Sequence, residues 1–250
     1  MEFTKKSILT LFFMLLFTVG IQAGISVEIT FHHGSWSLNL LKEQIENLLN
    51  DVVEEQVKEA ISDDFPGENH VYYDQSLTFN SSGKNTGLSI RLYPGGKDGT
   101  FSLGVGYYKT RMEFSVTTEI TDELDSGKLF SLDSSGNVTI DSYAYVVDFR
   151  WDFFPKSRIT PYFTLGGGVL KVKGTISAKA EGTYKEGAVV HNYSFEESEK
   201  IEEIEDAPKN LPVIIMNLGL RANLVAGLNF FVDAGIYNGF LFKGGISYRF

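Results

Sequence analysis

After about residue 70, apolar residues alternate with small or polar residues in eight segments of the chain. A period of two is typical of a β-strand whose two faces meet different surroundings. The clearest segment covers residues 142–153, and its apolar face carries Tyr143, Tyr145, Val147, Phe149, Trp151 and Phe153. The other segments cover residues 76–80, 88–92, 101–107, 163–169, 214–224, 228–236 and 241–250. The pattern predicts an all-β fold.

The polar face of these segments indicates which way the strands face. In a soluble ligand-binding barrel the polar face meets water and carries long charged side chains, whereas the apolar face lines the interior. Here the polar face is rich in glycine, at positions such as Gly104, Gly166 and Gly219. Small residues suit the narrow interior of an eight-stranded barrel. We therefore expect an antiparallel up-and-down transmembrane β-barrel of about eight strands over residues 70–250, with the apolar face in lipid.

Aromatic residues on the apolar face support that orientation. Tyr143 and Tyr145 precede Trp151 and Phe153 on one strand. Ten residues at about 3.3 Å, tilted by about 40°, rise roughly 25 Å, which is the height of the apolar band between the aromatic girdles of a membrane barrel. These four residues are the predicted girdle.

Charged residues of both signs lie on the inward face. Buried charge is tolerated when it is paired and hydrogen-bonded, so we interpret these residues as a lumenal ion-pair network. A catalytic set of carboxylates is the alternative, but Asp148 and Asp152 would lie roughly 13 Å apart along one strand. The sequence thus predicts no catalytic residues and no enzyme activity. The predicted network consists of Arg91, Asp148, Arg150, Asp152, Arg221, Asp233, Lys243 and Arg249.

The first 23 residues have the features of a secretory signal peptide. Lys5 and Lys6 precede a short apolar run, and small residues around Ala23 follow it. An uncleaved anchor helix is the alternative. The prediction is cleavage near Ala23 and export, with the mature protein integral to the cell outer membrane.

Residues 24–66 differ in pattern from the rest of the chain. A short strand is expected at 25–33, followed by an amphipathic helix at about 36–62 whose polar side is acidic. Because eight later strands already return the chain to its starting side, we expect this strand and helix to precede the barrel on the periplasmic side. Alternatively, the strand belongs to the barrel and one later segment does not.

The connections also differ in length. The stretch "SSGKN" (81–85) predicts a tight turn, whereas residues 119–137 and 181–211 predict long polar loops on the side opposite the C-terminus. Short periplasmic turns and long external loops are typical of outer-membrane barrels. The acidic stretch 196–206 lacks the ligand pattern of a calcium loop.

Composition excludes several classes of partner and site. The formal net charge is -10, or -11 without the signal peptide, so nucleic acid is not an expected partner. There is no cysteine for disulfides or thiolate metal sites. His32 and His33 are adjacent on a predicted strand and point to opposite faces, so no metal or cofactor is predicted.

The end of the chain, Lys243, Gly245, Tyr248 and Phe250, resembles the C-terminal signature of bacterial outer-membrane barrels. With its signal peptide and strand pattern, the chain is similar to the small OmpA/OmpX/OmpW-type barrels over roughly residues 70–250. The resemblance implies recognition of the last strand by the barrel assembly machinery, and contact with outer-membrane lipid and lipopolysaccharide.

The leading functional hypothesis is a structural or surface-interaction role with a filled interior. A narrow channel for small or apolar solutes is the second hypothesis, and a lipid-modifying barrel enzyme is the third. The first two hypotheses differ in the role of the network residues, because paired charges in a narrow interior oppose the free flow of solutes.

Overall fold

The computed structural model describes residues 24–204 and 208–250, so the predicted signal peptide lies outside the described residues. In those ranges the helix α1 covers Lys42–Asp64. No helix in them is long and apolar enough to cross a membrane. The strands are β1 (Ser26–Ser37), β2 (His70–Tyr93), β3 (Phe101–Leu124), β4 (Leu129–Asp152), β5 (Ile159–Glu186), β6 (Val189–Lys200), β7 (Asn210–Val225), β8 (Leu228–Tyr237) and β9 (Phe240–Arg249).

Eight of the strands close a ring. Each pairs antiparallel with the next in the order β1, β2, β3, β4, β5, β7, β8, β9, and β9 pairs back onto β1. β6 lies outside the ring and pairs with residues 175–186 of β5. The predicted all-β fold, an antiparallel barrel of about eight strands, is confirmed.

The place of the first strand differs from the expectation. β1 was expected to precede a barrel of residues 70–250, but it closes the ring: Ile29 lies between Ile90 of β2 and Tyr248 of β9. The barrel therefore includes residues 26–37, as in the alternative assignment.

The ring still has eight strands because β2 runs unbroken through residues 81–85, where a turn was predicted. Gly83, which suggested that turn, packs tightly instead. A Cβ at this position would lie 2.6 Å from the carbonyl oxygen of Arg111 and 3.2 Å from the Trp36 ring. The glycine is required there by close approach rather than by chain reversal.

The two ends of the barrel are unlike each other. One end, the short-turn end, carries the connections 94–100, 153–158 and 226–227. The C-terminus also lies there, where the backbone N–H of Phe250 donates to the carbonyl of Val27 at 2.9 Å. β1 runs from this end to the opposite one, so α1 follows at the end away from the C-terminus. The predicted placement of the helix beside the C-terminal end is wrong.

At the opposite end β2 to β5 continue far beyond the ring. The long loops predicted at 119–137 and 181–211 are mostly strand, with reversals at 125–128 and 187–188. We call this part the strand extension; it consists of residues 70–82, 113–124, 129–139 and 175–186 together with β6.

The outward face changes character at one level around the sheet. Thr86, Lys109, Tyr143 and Lys171 are successive cross-strand partners at this level. Below it, toward the short-turn end, outward residues are apolar. We call them the outer belt; they include Leu88, Leu103, Val105, Tyr145, Val147, Phe149, Trp151, Leu165, Val169, Ile214, Met216, Leu218, Leu220, Phe230, Ile236, Phe242, Ile246 and Tyr248.

Above this level the pattern inverts. On β3 the outward positions become Arg111, Glu113 and Glu119, whereas Met112 and Ile120 point inward and are buried. The strand has the same period throughout, but the side that carries apolar residues has switched. This inversion is expected where the outer surroundings of a strand change from apolar to aqueous.

Helix α1 lies along the free edge of β2 in the strand extension. The carboxylate Oε1 of Glu46 accepts a hydrogen bond from the backbone N–H of Phe79 at 2.8 Å. This contact gives a partner to one of the backbone N–H groups on that edge. Gln75 donates to the Asn50 carbonyl and side chain at 3.3 and 2.9 Å. At its C-terminal end the helix places Phe65 against Phe130 and Tyr184 of β4 and β5.

Candidate functional site: the closed barrel interior

All eight residues of the predicted network point into the barrel, and each is between 1% and 6% exposed. The strand register explains how they meet. Odd-numbered residues of β2, β7, β8 and β9 face inward, as do even-numbered residues of β1 and β4. Because the strands are antiparallel and closed, the inward residues near the short-turn end converge on one axis.

Glu28 of β1 lies at the centre of this cluster, although the sequence analysis did not single it out. Its Oε2 accepts from Nε and Nη2 of Arg249 at 3.1 and 2.9 Å, and its Oε1 accepts from Nη1 of Arg150 at 3.3 Å. The Arg221 guanidinium is 3.6 Å away. Glu28 is fully buried, so this one carboxylate is shared by three guanidinium groups away from water.

Asp152 bridges the same three arginines. It accepts from Arg150 Nε and Arg221 Nη1, both at 2.8 Å, and from Arg249 Nη2 at 3.2 Å. Two tyrosine rings cover the guanidinium faces: Arg150 stacks 3.8 Å from the centroid of Tyr162, and Arg249 stacks 3.5 Å from that of Tyr93. Such cation–π contacts strengthen when water is excluded.

The remaining network residues form two further pairs. Arg91 is ion-paired with Asp148. Asp233 accepts from the Tyr162 hydroxyl at 2.8 Å, and Lys243 Nζ lies 3.7 Å from its other oxygen. Tyr162 thus connects the Asp233 pair to the arginine cluster. With Glu28 included, five cationic groups face four carboxylates.

Glycines on intervening strands make two of these contacts possible. Gly104 of β3 lies in register between Arg91 and Asp148. A Cβ there would be 2.9 Å from both the Arg91 guanidinium and the Asp148 carboxylate. Gly219 of β7 lies in the same way between Tyr162 and Asp233. In each case the two partners meet across the space that a side chain would occupy.

Gly219→Ala tests this arrangement. Its Cβ would lie 2.3 Å from Cζ of Tyr162 and 2.6 Å from Cβ of Asp233, so the tyrosine must move and its hydrogen bond is lost. We expect a loss of about 1–3 kcal/mol in the free energy of unfolding, measured by denaturant titration with tryptophan fluorescence. Gly136→Ala is the matched control, because its Cβ would meet nothing within 4 Å. Equal stability of the two variants would contradict the packing role.

Above the charged cluster an apolar layer crosses the interior, next to buried polar side chains such as Asn85 and Thr110. Trp36, Met112, Leu170, Ile215 and Leu241 form part of one buried cluster that crosses the barrel. The Trp36 indole N–H donates to the carbonyl of Tyr237 at 3.0 Å. Ile201, after β6, packs on this cluster from above.

The charged and apolar layers leave almost no open path along the axis. The cavity between Thr30, His32, Arg91 and Lys243 has a volume of only about 20 Å³, which is room for about one water molecule. A wider cavity of about 220 Å³ lies at the short-turn mouth, beside Arg221 and Arg249.

The other predicted groups occupy defined positions. Tyr145, Trp151 and Phe153 are 64%, 40% and 55% exposed on the outer surface, and Tyr143 is half-buried. At the C-terminus, Lys243 points inward and Gly245 is part of β9. Tyr248 lies outside, with its ring 4.8 Å from that of Phe250.

His32 is buried and contacts Asn85, whereas the adjacent His33 contacts Thr86 on the other face. In the described ranges no cluster of three or more His, Asp or Glu side chains could hold a metal ion.

No family model and no curated protein sequence matches the chain. Among solved structures, it is similar to the translocator domain of the autotransporter NalP from Neisseria meningitidis, at 11% identity over 96% of this chain and 95% of that one, with a TM-score of 0.26. The transport unit of the autotransporter AIDA-I from Escherichia coli is 10% identical over 90% of each chain, with a TM-score of 0.20. The KdgM porin is 10% identical over 72% of this chain and 99% of that one, with a TM-score of 0.22. Likenesses at this level say nothing about function.

Proposed function

We propose that this protein is an integral outer-membrane β-barrel with a structural or surface-interaction role, and that its interior does not conduct. The observation that carries the proposal is the outer belt, where Phe149 and Leu218 expose 43% and 65% of their surface. A continuous apolar surface around a closed barrel is costly in water and favourable in hydrocarbon. A soluble barrel keeps its large apolar residues inside.

The inversion of pattern at Thr86, Lys109, Tyr143 and Lys171 supports this placement. It marks the upper boundary of the apolar surface at a common height on adjacent strands. Tyrosine and lysine are residues that favour a membrane interface. In our proposal the short-turn end faces the periplasm, and the strand extension with α1 projects from the cell.

The partners in this proposal follow from the two surfaces of the barrel. The outer belt contacts membrane lipid and lipopolysaccharide, and the last strand, with Lys243, Gly245, Tyr248 and Phe250, is read by the barrel assembly machinery. The chain would belong with the small OmpA/OmpX/OmpW-type barrels in size and strand number. No catalytic role is assigned to any residue.

Cell fractionation and gel migration test the membrane placement. We expect the protein in the outer-membrane fraction after carbonate washing, with a faster gel mobility before heating than after it. Recovery in the soluble periplasmic fraction, or mobility unchanged by heating, would overturn the proposal.

Planar-bilayer recordings separate the structural role from the channel. Because the arginine cluster and the apolar layer fill the axis, we expect no single-channel steps from refolded protein whose heat-modifiable migration shows correct folding. Steady steps that disappear in Arg221→Ala or Asp233→Ala variants would favour the channel instead. A changed lipid A or phospholipid profile in a deletion strain would favour the enzyme.

A further inference from the structure

A further cavity, separate from the barrel interior, lies inside the strand extension. It has a volume of about 570 Å³ and lies between the last turns of α1 and the inner faces of β3 to β6. We call it the upper cavity. This volume is in the range of small-molecule binding sites. The side chains that matter most for its chemistry are Ile61, Phe65, Asp122, Phe130, Tyr184 and Phe195.

Three aromatic rings form a fixed wall of the upper cavity. Phe65 lies 5.3 Å from Phe130 and 5.6 Å from Tyr184, and Phe130 and Tyr184 stack at 4.9 Å between centroids. Tyr193 and Phe195 of β6, which pairs with β5, also line the cavity and are 63% and 52% exposed. Aromatic walls of this kind bind apolar groups, and their faces attract cations.

One carboxylate in the lining has an oxygen without a hydrogen-bond partner. Asp122 of β3 is fully buried, and its Oδ2 accepts from Nδ1 of His70 at 2.7 Å. Its Oδ1 is buried without a hydrogen bond. A buried carboxylate oxygen without a donor is costly, so a group that donates to it stabilises the site. Asp64 at the end of α1 also lines the cavity and adds negative charge.

From this combination we propose that the upper cavity binds an apolar molecule that carries a protonated amine. The ammonium group donates to Oδ1 of Asp122, and the apolar body packs against Phe65, Phe130 and Tyr184. Since Asp122 exposes no surface, binding includes a small movement of the side chains around it. The site lies above the outer belt, so this inference goes beyond the proposed function and does not depend on the membrane placement.

Calorimetric titration of the full chain with two matched probes tests the inference. The probes are 4-phenylbutylamine and 4-phenylbutan-1-ol, which differ in the terminal ammonium group. The protein is placed in lipid nanodiscs and the heat of empty nanodiscs is subtracted; if the chain proves soluble, the same titration is done in buffer. We expect saturable binding of the amine at least tenfold tighter than that of the alcohol.

Two variants and one control locate the binding. Asp122→Asn keeps the shape of the side chain and should remove the preference for the amine. Ala180→Trp places an indole ring in the cavity and should weaken the binding of both probes. Asp133→Asn, on the exposed outer face of β4, should bind as the unmodified protein does. Heat-modifiable migration or, in buffer, circular dichroism shows that each variant is folded.

Three outcomes would overturn the inference. They are no saturable heat above the blank, equal affinity of the unmodified protein for amine and alcohol, and amine binding in Ala180→Trp as tight as in the unmodified protein. Each of them leaves the membrane placement intact, because fractionation and gel migration decide that question separately.

Discussion

Replacing Glu28 by Gln is expected to lower the free energy of unfolding by about 3–5 kcal/mol, the cost of leaving buried charge uncompensated. Arg150, Arg221 and Arg249 would then share only Asp152 among them. The substitution preserves size, so the effect is that of charge and not of a cavity. Denaturant unfolding of the refolded protein, followed by tryptophan fluorescence, measures it.

Glu113→Gln is the matched control for this prediction. Glu113 pairs with Arg111 at 3.0 Å, but both side chains are more than half exposed. Exposed pairs contribute about 0.2–1 kcal/mol, so this variant should unfold almost as the unmodified protein does. If Glu28→Gln is no more destabilising than Glu113→Gln, the arginine cluster does not need its central carboxylate.

The second large effect is expected on the outer belt. Leu218 lies in the middle of β7 with 65% of its surface exposed, so Leu218→Arg disturbs no packing inside the barrel. In a bilayer, an arginine near the midplane of the outer surface destabilises a barrel by about 2–4 kcal/mol. Reversible unfolding in lipid vesicles measures the difference.

Thr117→Arg separates membrane depth from the general effect of an added arginine. Thr117 is exposed on the outer face of β3, above the level of Lys109. We expect a change within about 0.5 kcal/mol, as for other surface substitutions. Equal stability of Leu218→Arg and Thr117→Arg would mean that the outer belt is not in hydrocarbon, and the proposed location would be wrong.

The sequence predicts the barrel and the direction of its faces well, because the period of two is strict within the outer belt. Every inward charge of the predicted network does point inward. In this region the outward residues are apolar and the inward residues are small, polar or charged, so the type of a residue indicates the direction in which it points.

The same reasoning fails in the strand extension, because the meaning of the pattern reverses there. Leu77 and Phe79 were grouped with the outward residues, yet Phe79 is buried on the inner side. Along the unbroken strand β2, odd-numbered residues point inward from Phe79 to Leu92. The apolar residues, however, move from the inner face to the outer face over this stretch. A shift of apolar residues from odd positions (Leu77, Phe79) to even positions (Leu88, Ile90), without a turn between, was the signal that β2 continues.

Glu28 was missed for a different reason. It was assigned to a strand outside the barrel, so it was not considered as a network member. The predicted network itself contained five basic residues and three acidic ones. Since buried charge is usually balanced, that excess pointed to a missing carboxylate on another inward-facing strand. The balance of charge inside a predicted barrel therefore tests whether all of its strands have been assigned.

The pairing of β1 with β9 also sets the order in which the molecule can fold. Glu28 and Arg249 are 221 residues apart in the chain, yet they are direct cross-strand partners. Joining such distant segments has a large loop-closure entropy, whereas the hairpins from β2 to β5 join near neighbours. We expect those hairpins to form early and the seam between first and last strands to form at the end. Until then the edges of β1 and β9 stay open, and Arg150, Arg221 and Arg249 lack the Glu28 carboxylate as a counter-charge.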